Sequence, residues 1–436
     1  MDSVHPNAVS AIKSIATAMF ASNYDQEFCQ AFISFWREAL DEYLIICKVD
    51  KLSIEDVLKM EWSCLNSKIR KWCRAMKSII RFYLASEKWL FDQVLGEFGS
   101  VSSICFVEAS KASMLCLLNF GEAIAMGPHL PERLFCLINM YEVLADLVQD
   151  IDALFSEEFG SFIRNEFNEL LRSLGNSARI TFLRFGDQVA SKTSTTPFPK
   201  GGIHPLTKYV MNYIKALAGY GDTLDLLLKS QDRDNLDPVP EDGHNISSFT
   251  SSPMAHHLQS VTSILETNLD NKSKLYRDGS LKHIFMMNNI HYMVEKVKIS
   301  ELRTYFGDEW IRRHIGKFQQ HATSYVRVTW SSVLSLLMDD GNRRKAILRE
   351  RCRSFSIAFE EVYKSHTGWS IPDPQLREDL RISTSQKVIN AYRPFVGRIS
   401  SSISEKYIKY TADDLVIYIL DLFEGSPRSL HTTHRR

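Results

Sequence analysis

Apolar side chains recur every three to four residues along most of the chain, the period that gathers them on one face of an α-helix. In WREALDEYLIICK (36–48), Trp36, Leu40, Tyr43, Leu44 and Cys47 share such a face, and Arg37, Glu38, Asp41 and Glu42 fall mostly off it. In PLTKYVMNYIKALAGYGDTLDLLLK (205–229), Leu206, Tyr209, Val210, Tyr213, Ile214 and Leu217 repeat in the same way. Helix starts are also marked. SIED at 53–56 has the form of a capping box, and Thr411 followed by Asp414 repeats it before the last helix, where Asp413 and Asp414 suit the positive end of the dipole. Alternation of period two is scarce, and Asp242-Gly243, a hairpin-type dipeptide, lies in a polar loop rather than between strands.

Proline decides how long these helices can run. The 13 prolines cluster, leaving none in 7–127 or 254–371, so two stretches can be helical without a break. Breaks fall at Gly127-Pro128 to Pro131, at SKTSTTPFPKGG (191–202), at SQDRDNLDPVPEDGHNISS (230–248) and at DDGNRR (339–344). GYGD (219–222) lacks a third glycine and a preceding strand, and is read as a helix irregularity. The predicted fold is all-α, built of stacked antiparallel bundles. Its divisions are a first bundle at 1–128, a second at 129–229, a flexible polar loop at 230–252, a third bundle at 253–340 and a basic C-terminal bundle at 341–436. Periodicity leaves open whether such bundles are compact or strung into a rod.

Composition narrows the class. With 436 residues, 44% hydrophobic and 24% charged, the chain has the make-up of a globular protein. Basic and acidic residues balance at 52 each, which removes any global pull toward nucleic acid. The balance is uneven: residues 301–410 carry 19 Lys/Arg against 12 Asp/Glu, a net of +7. The eight cysteines include no CxxC or Cys/His ligand spacing, and most sit among apolar neighbours as small hydrophobes, so a reducing cytosolic compartment is expected. Apolar uncharged runs stop near ten residues, and no transmembrane helix is expected. MDSVHPNAV opens almost directly on a helix signal, and continuation upstream is expected.

Catalytic patterns are missing. HExxH, GxSxG and the P-loop do not occur, and Glu360-Glu361 point about 100° apart on a helix, a poor acid–base pair. One of the two is expected to pair with Lys364. His314 and His321 share a helical face, yet nothing in the sequence supplies further ligands for a metal. The basic clusters carry more. RRKAILRERCR (343–353) holds Arg343, Arg344, Lys345, Arg349, Arg351 and Arg353 against one acid, and WIRRHIGK (310–317) adds Arg312, Arg313 and Lys317. Arg398 and then Lys406 and Lys409 follow, the two lysines each beside a tyrosine in EKYIKY. Such runs are often merely solvated helix faces. Gathered at one end, four or five would suffice for reversible attachment to an anionic leaflet at about 1 kcal/mol each.

The runs WIRRHIGKFQQHATSYVRVTW (310–330), SFSIAFEEVYKSHTGWSIPDPQLREDLRISTSQKVINAYRPFVGR (354–398) and EKYIKYTADDL resemble the Exo-seventy subunit of the exocyst. VHPNAVSAIKSIATAMFASNYDQEFCQAF and GGIHPLTKYVMNYIKAL (201–217) are similar to its plant branch. The resemblance implies an elongated rod of helical bundles of the tethering-complex type, without catalysis, cofactor or metal. It implies vesicle tethering at the plasma membrane in exocytosis, by a cytoplasmic protein peripheral to that membrane. Implied partners are the other exocyst subunits, plasma-membrane phosphoinositides, a small Rho-type GTPase and, in diversified plant members, a pathogen effector or immune receptor in defence. Lys406 and Lys409 match the family's lipid-contacting positions. Arg398 and the 343–353 cluster join them on charge alone. Serines at 400, 401, 402 and 404 dilute the patch, where the family often carries more charge.

Overall fold

The computed structural model describes residues 6–234, 252–338 and 344–427. Its α-helices run, in chain order, α1 Pro6–Ala21, α2 Asp25–Ile46, α3 Ile54–Leu58, α4 Trp62–Ser78, α5 Ala85–Leu95, α6 Val101–Ala125, α7 Pro131–Leu154, α8 Ser161–Leu183 and α9 Phe185–Ala190. They continue as α10 Pro205–Leu217, α11 Gly221–Asp234, α12 Pro253–Ser273, α13 Gly279–Lys298, α14 Leu302–Ser335, α15 Lys345–His366, α16 Pro374–Ile399 and α17 Ala412–Leu420. Among the described residues there is no strand, only an isolated bridge between Ser370 and Glu424. The chain is all-α. Of the expected loop at 230–252, residues 230–234 continue α11, Ser252 caps α12, and the rest lies outside the described residues. GYGD falls at a short 3-10 turn, Ala218–Tyr220, between α10 and α11.

Two compact units form. The first comprises residues 1–185 and 220–242, the second 186–219 and 243–436. At the centre of the first lies α6, packed against α2, α5 and α8. It is the one helix among the described residues long and apolar enough to cross a membrane, and most of it is buried here in the bundle. Its two faces are both apolar because neighbours cover both. Trp72 of α4 donates its indole N–H to the Leu117 carbonyl of α6 at 2.9 Å. Gly121 lets α8 approach, since a Cβ there would stand 2.6 Å from a Leu170 methyl. Buried Glu87 of α5 has one oxygen without a partner among the described residues, and burial pushes its carboxyl up to about 8, so it is mostly uncharged at neutral pH.

The second unit is organised on α13 and α14, with α15, α16 and α17 packed around Tyr325 and Trp330 of α14. The C-terminal residues 421–425 strap this core. The Phe423 amide donates to the His366 carbonyl at 3.0 Å, and that of Gly425 to the Trp369 carbonyl at 2.7 Å. His366 is buried, stacked 3.6 Å from Trp369, with Nδ1 2.9 Å from the Tyr325 hydroxyl. Burial holds this imidazole down to about 3, so it stays neutral in the fold while the unfolded chain takes a proton near its ordinary 6.5. The stability this contributes is complete above pH 6.5 and is lost as pH falls toward the folded value. Urea midpoints of the second unit are expected to drop between pH 6.5 and 5, and His366→Gln should remove about 1.4 kcal/mol per pH unit of that slope.

Candidate functional site

The site is built where α15 meets the short turn Glu405–Tyr407. The segment after the turn ends at Thr411, whose hydroxyl accepts from the Asp414 amide, while the Asp414 carboxylate accepts from the Thr411 amide and hydroxyl; this capping box starts α17. Tyr410 points inward: it is buried, its hydroxyl donates to Glu360 at 2.8 Å, and its carbonyl accepts from the Tyr392 hydroxyl at 2.6 Å. Burial, followed by Glu360, pushes the Tyr410 phenol well above its usual range, so it remains a donor. Tyr407 is half-buried, and its ring gathers two cations, the Arg349 guanidinium at 4.4 Å and the Lys406 ammonium at 5.3 Å. Segments nearly sixty residues apart in the chain therefore meet on one aromatic ring.

The nine cations proposed from sequence separate into distinct groups. Lys345, Arg349, Arg353 and Lys406 are exposed and have no carboxylate partner among the described residues. On α15 the spacing 345, 349, 353 keeps three of them on one side of the helix. Lys409 is exposed but bound to Glu360 at 2.7 Å, so its charge is partly neutralised. Glu360 thus pairs with Lys409 from the segment before α17, and among the described residues neither Glu360 nor Glu361 forms an ion pair with Lys364. Arg351 and Arg398 do different work, donating to the Leu336 carbonyl at 2.9 Å and the Leu337 carbonyl at 3.4 Å at the end of α14. Cations at a helix C-terminus satisfy its orphan carbonyls. Arg344 stands at the N-cap of α15, and Arg343 lies outside the described residues.

The 310–317 cluster does not join them. Arg313 pairs with Glu309 at 2.9 Å and Lys317 with Glu266 at 2.5 Å, while His314 also bonds Glu266 and stacks on Trp310. Lys317 precedes Leu336 by nineteen residues on one helix, about 30 Å at 1.5 Å per residue. His321 turns instead to His283, with ring nitrogens 3.1 Å apart. Among the described residues no three His, Cys, Asp or Glu side chains form a group able to hold a metal ion.

The described residues thus form an all-helical scaffold that carries a cationic, aromatic surface where α15 meets Tyr407. Similarity to known proteins carries this further. The sequence profile of the family described as the C-terminal part of the Exo70 exocyst complex subunit matches residues 70–421. The chain is 51% identical over 438 residues to the exocyst complex component EXO70E2 of Arabidopsis thaliana, covering 100% of this chain and 68% of the relative. It is 33% identical to EXO70B1 of the same plant, covering 98% of this chain and again 68% of the relative. The chain thus spans about two thirds of the length of these relatives. A solved structure of S. cerevisiae Exo70 superposes with a TM-score of 0.56 at 14% identity, covering 96% of this chain and 80% of that one. The chain belongs to the Exo70 family of exocyst subunits.

Proposed function

We propose that this chain acts in the exocyst to tether secretory vesicles at the plasma membrane. The surface around Tyr407 contacts phosphoinositide headgroups, and other exocyst subunits are its partners. The observation behind this reading is the meeting of Arg349 and Lys406 on one ring, beside Lys345 and Arg353, with no carboxylate among the described residues to neutralise the four. At about 1 kcal/mol per cation near an anionic leaflet, they supply roughly 4 kcal/mol, enough for reversible attachment.

A second reading, favoured by the pairing of Lys409 with Glu360 and by the serines at 400–402 and 404, makes the chain a plant protein-interaction module in immunity with weak membrane binding. Co-sedimentation with vesicles containing phosphatidylinositol 4,5-bisphosphate separates the two readings. Under the first, binding falls steeply as salt rises from about 50 to about 300 mM, because exposed charges are screened within about a Debye length of 8–10 Å. Binding that is negligible even at the lower salt would favour the second.

A further inference from the structure

The second unit contains a small cavity of about 250 Å³ whose lining is opposite in sign to the surface just described. It lies between α13, which contributes Asn288, His291, Tyr292 and Glu295, and the Pro-rich entry to α16, which contributes Asp373 and Leu376. Among the described residues no lysine or arginine lines it. Asn288 is only 2% exposed, and its Nδ2 donates to the carbonyls of Gly201 at 2.7 Å and Ser370 at 2.8 Å. The acceptor Oδ1 is left buried with no donor among the described residues. A buried unpaired acceptor forfeits its hydration without recompense, so a lone one beside a cavity marks a place for a donor.

Two carboxylates stand with it. Asp373 caps α16 through Oδ1, which accepts from the Leu376 amide at 2.8 Å, and Oδ2 has no hydrogen bond among the described residues. Glu295 meets Lys298 through Oε1 at 3.0 Å in an exposed pair, of the kind that contributes little and exchanges easily. His291, whose ring packs against Phe318, is held below its usual value by burial, even though Asp373 and Glu295 act in the other direction. It therefore brings no positive charge at neutral pH.

We propose that this cavity receives the arginine side chain of a partner polypeptide. Acceptors spread over an amide and two carboxylates suit a planar guanidinium with five N–H donors, beside a Tyr292 ring that already faces the Lys296 ammonium at 5.5 Å. A divalent ion is the poorer fit, since among the described residues no three His, Cys, Asp or Glu side chains converge there. The volume takes one long side chain and excludes a folded segment.

Saturation-transfer NMR on the full chain tests this with N-acetyl-arginine amide and its neutral near-isostere N-acetyl-citrulline amide. The arginine amide should bind with a Kd on the order of 1 mM, the value for a ligand of this size at ordinary efficiency. Citrulline amide should bind at least about tenfold more weakly. Glu295→Gln/Asp373→Asn should weaken arginine by a similar factor; asparagine preserves the α16 cap, and an unchanged thermal melt would confirm the fold. Equal binding of arginine and citrulline amides to the wild type overturns the proposal whether or not the variant folds. So does unaltered arginine binding by a folded variant. Tighter binding of free arginine than of its blocked amide would exclude a polypeptide source.

Discussion

Replacing Arg381 with leucine is expected to lower the unfolding free energy of the second unit by about 3 kcal/mol. The side chain is 8% exposed, and its Nε and Nη2 both donate to the Leu422 carbonyl, with Nη2 also 2.6 Å from Glu424. Leucine fills much of the same space and leaves that carbonyl buried without a donor, a loss of about 1–3 kcal/mol. Glu424 loses its nearest cation as well, and because it is 34% exposed, water recovers part of that loss. Arg381→Lys should restore only a fraction, since an ammonium cannot make the fork that holds both groups. Urea denaturation followed by circular dichroism measures both variants. A loss below about 1 kcal/mol for leucine would show that the strap is held by Phe423 and the backbone bonds alone.

The strap matters for the cationic surface because Lys406 and Lys409 lie between α16 and α17. Tyr392 of α16 holds the Tyr410 carbonyl from one side, and α17 packs on α16 from the other. Loosening residues 421–425 would free the second anchor.

How far the sequence reveals this arrangement differs from part to part. Both capping boxes were legible, at Ser53/Asp56 and at Thr411/Asp414, because a cap is a local bargain between residues three apart. The amphipathic faces of α2 and α10 were legible for the same reason: Leu40, Leu44, Leu206, Val210, Ile214 and Leu217 are all buried, although Tyr209 on the second face is 42% exposed. Helix α6 was harder to read. Glu108, Lys111 and Glu122 interrupt its apolar runs, so it showed neither one clean face nor a single long uncharged stretch.

Tertiary pairing was not legible. Local spacing suggested Lys364 for one of Glu360 and Glu361, yet Glu360 takes Lys409 from 49 residues away. Likewise an arginine that caps a helix carbonyl, as Arg351 and Arg398 do, looks in sequence like any other surface charge. The cavity beside Asn288 draws on residues 203, 288–295 and 372–376, and no spacing rule links them.

The measurement that bears most directly on the cationic surface is vesicle binding by Arg349→Glu/Lys406→Glu, set against Arg312→Glu/Arg313→Glu. Each pair changes the net charge by the same amount. At about 1 kcal/mol per charge removed and again per charge reversed, the first pair should lose about 4 kcal/mol, nearly a thousandfold in affinity for phosphatidylinositol 4,5-bisphosphate vesicles. The second pair, about 35 Å along α14 from the Leu336 end that Arg351 holds, should lose at most a few-fold. Equal losses from the two pairs, or full binding by Arg349→Glu/Lys406→Glu, would contradict a contact surface centred on Tyr407.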